Sequence, residues 1–406
     1  MIRNLAQTIY GGITKPTCIC LVSCFMFFMY SVSGAGQSKE SHVSYPMLFG
    51  NYQLNGFMNG RCLAKGEIDW FLPFKNHRGS GPRVLLSDGD NWYLHFSSLL
   101  LRFNLKPEIV WTQKYRSYMD AMIIDGYIYH SNGSTVYMLN QNKEQVDGSF
   151  FVPNADQILF VMPVSGNHFV QTFMRFEQGM PGDPVDDDIW SFSLIDDNGN
   201  PLFTEETTDN YSPAVVTEDH STIIAVSGDG QVLKIDPTTG KEKSSFEIEN
   251  RGSWPSVSLS LKNELMLIGN TGSGEKSLIK YSLDGTILWE FFLPAADLRS
   301  FVQPPASAPD GRTYFIHADS LFRFTENGEM ERAYSLPPDN NFQFVTVLSD
   351  NSVLVTSKNM LTHIDSSGDY LFTLNLEDDE QITAPPVVDK DGGVLLATVN
   401  GVYRVK

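Results

Sequence analysis

Eight histidines are scattered through the chain, at 42, 77, 95, 130, 168, 220, 317 and 363. None falls in His-x-His or His-Glu-x-x-His spacing, which turns two imidazoles onto one zinc ion. The acidic run Gly182-Asp183-Pro184-Val185-Asp186-Asp187-Asp188 has the oxygen donors that calcium takes. It lacks the alternating Asp-x-Asp-x-Asp-Gly order of a calcium loop, so it reads as a solvated insertion. No Gly-x-Ser-x-Gly elbow is present. The glycine-rich stretch Gly269–Gly274 is followed by Glu275-Lys276-Ser277, so no glycine directly precedes the lysine as a phosphate loop requires. The four cysteines are Cys18, Cys20, Cys24 and Cys62, and no two are adjacent. No constellation of side chains announces a reaction.

The chain has 406 residues, 42% of them hydrophobic and 19% charged. That is apolar enough for a large core and too poor in charge for a disordered chain. The formal net charge of −19 argues against nucleic acid and against anionic lipid as partners. Residues 1–15 hold Arg3 and Lys15 and no acid. Cys18–Val32 is a weakly polar to apolar run, and Ser33, Gly34 and Ala35 are small. This order is that of a secretory signal peptide, with cleavage between Ala35 and Gly36. Two other readings exist: lipidation at Cys24 after Leu21-Val22-Ser23, and an uncleaved anchor. Cleavage would leave Cys62 as the only cysteine, and hence no intrachain disulfide.

Beyond the leader one pattern recurs. A turn with glycine is followed four residues later by an aromatic: Gly66–Trp70, Gly199–Phe203, Gly285–Trp289 and Gly368–Phe372. Looser copies place Trp111, Val146, Phe246 and Tyr334 in the same role. Before each lie short runs of Val, Ile, Leu, Phe and Tyr separated by Asp-Gly or Asn-Gly turns, the mark of antiparallel strands. A unit of about 40–45 residues is the length of one four-stranded propeller blade. Eight outer strands give eight blades, with seven as the alternative count. After Phe372 the chain supplies only three strands, Ala384–Val388, Val394–Ala397 and Val402–Val405. The strand around Trp70 has no blade in front of it. Pairing the two completes the last blade and closes the ring. The division is therefore a leader at 1–35, a lead-in segment at 36–64 and an all-β propeller at 65–406.

These units resemble the PQQ-like repeat of quinoprotein-type eight-bladed propellers. The Gly-x-x-x-Trp outer strand and the Asp236-Pro237-Thr238-Thr239-Gly240-Lys241 turn carry the likeness. The segment Tyr45–Gly56 is similar to the Trp-Pro-Met-Phe lead-in of many secreted bacterial members, with Tyr45 in place of the tryptophan and Leu48 added. A more distant similarity is to the outer-membrane assembly propeller lipoprotein. The resemblance implies that each outer-strand tryptophan packs between neighbouring blades. It also implies what a quinone enzyme would need: a vicinal cysteine pair, calcium and an aspartate base. No such cysteine pair exists here, so PQQ is not expected. The expected function is a non-catalytic, exported scaffold that binds a protein in the cell envelope or outside the cell, with a glycan as the other ligand class. The residues chosen for contact are Trp254, Asp297, Arg299 and Phe301, in blade-to-blade connections. The alternative is a sulfotransferase-like or polysaccharide-active enzyme using His130, His168 or His317 on the central face.

Overall fold

The computed structural model describes residues 56–406 apart from 75–80, 88–90, 97, 115–120, 125, 142–144, 153–154, 156, 165–167, 176–188, 197–198, 208–210, 249–255, 271–275, 294–302 and 338–342. The chain divides into two units, residues 1–40 and 41–406, and every described residue lies in the second. Among them there is no helix.

Eight antiparallel sheets form an eight-bladed β-propeller. Blades one to seven span 84–114, 122–151, 157–207, 215–247, 256–292, 306–335 and 343–375. Within each, strands follow chain order from the inner edge outward. The sequence shows why. Inner strands such as Val84–Ser87 and Gln343–Leu348 are buried at every position. They are covered by neighbouring blades on both faces, so they read as continuous apolar runs. Outer strands such as Ile109–Lys114 and Tyr370–Asn375 alternate between exposed and half-buried residues. Only one of their faces meets a neighbour, and side chains on a strand point alternately to the two sides.

The eighth blade joins the two ends of the chain. Its strands lie in the order Ile68–Pro73, Gly401–Val405, Val394–Ala397 and Val387–Val388. Ile68 faces Val405 and Leu72 faces Val402 in antiparallel register. Phe71 stacks on Tyr403 with ring centroids 4.4 Å apart. Arg404 donates through Nη1 to Asp69 at 2.5 Å and through Nε to the buried Asp389 at 2.6 Å. All eight outer strands expected from the sequence are present, and the closure is the one expected.

The lead-in segment does more than the sequence suggested. Phe57–Met58 pairs in parallel with Val347–Leu348, on the free inner edge of the seventh blade, giving that sheet five strands. Met58 is fully buried, and Val388 N–H donates to its Sδ at 3.3 Å. Gly60 O accepts from Ser349 N at 3.0 Å, and Leu63 N donates to Gly392 O at 2.8 Å. Residues 56–63 thus run along the inner edge of blade seven and onto blade eight before the outer strand begins. Cys62 is buried on this path, and burial pushes its thiol up to about 12.

Adjacent blades are fastened by one repeated contact. In blades three to eight the glycine of the turn before the outer strand lies against the outer strand of the blade before it. A Cβ on Gly328 would sit 2.5 Å from Trp289 Cγ, and one on Gly285 would sit 2.8 Å from the Phe246 ring. Both glycines have positive φ, 83° and 91°. Trp289 Nε1 donates to Glu326 O at 3.0 Å, Tyr334 OH to Gly368 O at 3.2 Å, and Lys234 Nζ to Leu283 O at 2.6 Å.

Gly328→Ala should therefore lower unfolding stability by roughly 1–3 kcal/mol for the backbone alone, and by more once the tryptophan is displaced. Gly311→Ala has a similar positive φ, but the nearest atoms its Cβ would meet belong to the flexible side chain of Glu326. Urea unfolding of both should show the larger loss at 328. Equal losses would mean that the glycine–tryptophan contact contributes nothing of its own.

Candidate binding surfaces

The antiparallel order of every blade gives the ring two faces. The turns between first and second strands and between third and fourth strands lie on one, the turn face. The second-to-third turns and the blade-to-blade connections lie on the other, the mouth.

The four contact residues expected from the sequence, Trp254, Asp297, Arg299 and Phe301, lie outside the described residues, as do Ala35 and Gly36. Close by in sequence, Gln303 is described and buried. Its Nε2 donates to Val345 O and its Oε1 accepts from Val345 N, both at 2.7 Å. It ties the approach to blade six onto the inner strand of blade seven. The Gly182–Asp188 run also lies outside the described residues. Among those described, no three His, Cys, Asp or Glu side chains come close enough to hold a metal ion.

The histidines singled out for catalysis do not converge. His130 is buried in blade two and stacks on Tyr137 at 5.3 Å. His168 opens the second strand of blade three, at the turn face, and its Nδ1 donates to Pro237 O of blade four at 2.8 Å. His317 closes the second strand of blade six at the mouth, buried and parallel to the Phe315 ring. Three blades and both faces separate these side chains, so no common reacting atom lies within reach of all of them. The sequence reading passed over His95, which is fully buried in blade one. Burial pushes its imidazole down to about 3, with smaller contributions from the charges of Arg83 and His130. Burial alone brings His130 down to about 4. No spacing rule could have joined these two, because their blades meet only in the folded ring.

The turn face is a lattice of satisfied charges. Lys262 of blade five pairs with Glu326 of blade six. Glu331 accepts from Arg312 Nε at 2.9 Å and Arg323 Nε at 2.6 Å. Lys280, buried at 1% exposure, reaches Glu264 at 2.5 Å. Turn aspartates are occupied locally. Hydrogen bonds from Thr217 and Ser221 bring Asp219 down to about 2, and those from Ser282 and Thr286 do the same for Asp284. These groups set turns and hold blades together.

Apolar exposure gathers elsewhere. Among the described residues, every strongly exposed large hydrophobic except Leu63 lies on an outer strand. The positions two residues past the turn glycine form a series round four successive blades: Ile287, Met330, Tyr370 and Ile68. Leu288, Phe292 and Leu371 enlarge it. The outer strand of blade four, Glu242–Glu247, carries none. The ring therefore has an outer wall with exposed apolar side chains along unpaired strand edges, where apolar or strand-adding partners bind.

Three solved structures place this fold among known ones. The chain is similar to BamB from Moraxella catarrhalis, with a TM-score of 0.56, 12% identity, and coverage of 83% of this chain and 97% of that one. It is also similar to the quinohemoprotein alcohol dehydrogenase from Comamonas testosteroni, with a TM-score of 0.62, 9% identity, and coverage of 89% and 80%. A computationally designed protein matches with a TM-score of 0.60, 12% identity, and coverage of 85% and 99%. No family profile and no curated protein matches the chain by sequence. The first two are PQQ-like propellers, so the resemblance read from the repeats holds at the level of the fold. An enzyme and a designed protein on one architecture show that the ring alone assigns no activity.

The buried pair His95 and His130 makes stability depend on acid. Unfolded, each titrates at its ordinary value near 6.5. Folded, both stay neutral well below that. As pH falls from about 6.5 towards 4, the unfolded chain gains protons that the folded chain refuses, so stability falls, by on the order of 1.4 kcal/mol per unit of separation and site. Urea midpoints between pH 7.5 and 4.5 should decline. His130→Gln should flatten that slope whatever it does to stability at pH 7.5. An unchanged slope would show that His130 is not held neutral by the fold.

Proposed function

We propose that this chain is an exported β-propeller that serves as a protein-binding scaffold in the cell envelope or outside the cell. The observation that carries the reading is the outer wall. The chain carries a formal net charge of −19, yet its ring leaves large apolar side chains exposed, and they are concentrated on one kind of strand. Such a concentration fits a contact surface better than a solvated exterior. The fold likeness to BamB, an outer-membrane assembly propeller lipoprotein, supports the same direction. The leader at residues 1–35 supplies the route of export. In this reading the ring holds no quinone and performs no chemistry of its own. Trp254, Asp297, Arg299 and Phe301 would add contacts to those of the wall.

The purified chain, immobilised, should retain one stoichiometric partner from envelope extract. A double variant, Leu288→Lys with Leu371→Lys, alters two exposed side chains of the wall. It should melt near wild type and retain at least about tenfold less of that partner. Absence of any stoichiometric partner, or equal retention by the variant, would count against the scaffold and against the wall respectively.

A further inference from the structure

The lead-in segment lies on the ring in the manner of a bound extended peptide. Gly56, Met58, Gly60 and Cys62 are buried and Ala64 is half-buried, while Asn59, Arg61, Leu63 and Lys65 between and after them are exposed. Only Phe57–Met58 is paired as a strand, yet the period of two continues well past it. Side chains that turn alternately in and out mark a backbone extended along a surface.

The inward side is seated in the ring. Met58 and Cys62 belong to the apolar cluster that holds Leu348 of blade seven and Val388 and Val394 of blade eight, and Ala64 packs against it. The half-buried Phe57 packs against the cluster of Ala306, Val345 and Val347, at the boundary of blades six and seven. The main chain is held as well. Val347 N donates to Gly56 O at 2.9 Å, Ser349 donates to Gly60 O through N at 3.0 Å and through Oγ at 2.9 Å, and Leu63 N donates to Gly392 O at 2.8 Å. The receiving groups belong to the inner edge of blade seven and to the first-to-second turns of blades seven and eight. They form a groove that starts at the inner edge and crosses the turn face. Among the described residues no other inner edge carries an added strand. Main-chain hydrogen bonds to a free sheet edge, with alternate side chains seated, are how sheets bind extended peptides.

We propose that this groove is a peptide-binding site, filled in cis by residues 56–65, which takes an extended segment of the same alternation from a partner protein. The identity of the occupant as a partner rests on the scaffold reading; the groove itself does not. The seated residues are small or apolar. The charged residues turned outward, Arg61 and Lys65, are both basic. Asp350 and Asp389 lie near enough to Cys62 for their charges to act on its thiol. The fitting segment is therefore small or apolar on its inward side and basic on its outward side. The chain's own segment is tethered and so competes at a high effective concentration, which keeps the groove closed until that segment lifts.

A specific protease site flanked by glycines, inserted between Ala64 and Lys65, lets the full chain fold before the connection is cut. The probe is a fluorescein-labelled peptide that copies residues 56–65 with Cys62→Ala, followed by anisotropy. The cut ring should stay folded by circular dichroism and take up the peptide in excess, whereas the uncut chain should take up at least about tenfold less. Met58→Asp in the peptide, on the inward side, should weaken uptake at least about tenfold, and Asn59→Ser, on the outward side, should change it less than about twofold. Unfolding on cutting would show that the segment is core and not ligand. That result, refusal of the peptide by a folded cut ring, or equal uptake of the Met58→Asp and Asn59→Ser peptides would each overturn the site. The probe is the chain's own sequence, so any of these failures leaves the scaffold reading standing, and absence of an envelope partner leaves the groove standing.

Discussion

The ring depends on one contact made again at six of its eight blade boundaries: a turn glycine laid flat on the outer strand of the blade before it. At Trp289 the geometry is plainest. Gly328 approaches so closely that any Cβ would overlap the indole, and the indole N–H is met by Glu326 O. The contact requires a residue without a side chain and with positive φ, so the turn and the aromatic specify each other. Phe246, Tyr334 and Phe372 vary the chemistry while preserving the approach. Lateral hydrogen bonds nearer the axis add a second tier, such as Ser258 Oγ to Pro305 O at 2.7 Å and Thr346 Oγ1 to Pro386 O at 3.1 Å. Each blade is thereby oriented by its neighbour, and the whole is as rigid as its weakest boundary.

A chain of such boundaries is useful only if it closes, because an unfinished blade leaves an open edge that invites aggregation. Here closure uses both ends of the propeller. The Ile68–Pro73 strand zips onto Gly401–Val405, and Arg404 binds Asp69 and Asp389 at once. The Phe57–Met58 strand adds a second attachment on the inner edge of blade seven. Two attachments in succession hold the early residues without a disulfide, consistent with a single buried cysteine in the described chain. Loop-closure entropy, large for ends so distant in sequence, is offset by the apolar burial of Met58, Leu72 and Val402.

The surfaces left over differ in character, which bears on function. The turn face uses its charges internally, in ion pairs and capped turns. The outer wall leaves apolar groups uncovered. The described ring thus has one face whose charges are paired within it and an outer wall whose apolar side chains are uncovered.

Much of this was legible in the residues. The repeat of turn glycine and aromatic, with its looser copies at Trp111, Val146, Phe246 and Tyr334, located all eight outer strands. The missing fourth strand after Phe372 forced the pairing of Trp70's strand with the tail. These features are local, and period and turn chemistry follow from the backbone itself. What the chain order could not tell was which distant residues would become neighbours. The lead-in pairing at Phe57–Met58 has two residues and no periodicity, and it is fixed only by the free inner edge that blade seven presents. His95 and His130 acquire their lowered affinity for protons from burial between blades, while His168 and His317 part to opposite faces. Strand identity is a property of short segments, whereas burial, charge environment and convergence belong to the closed ring.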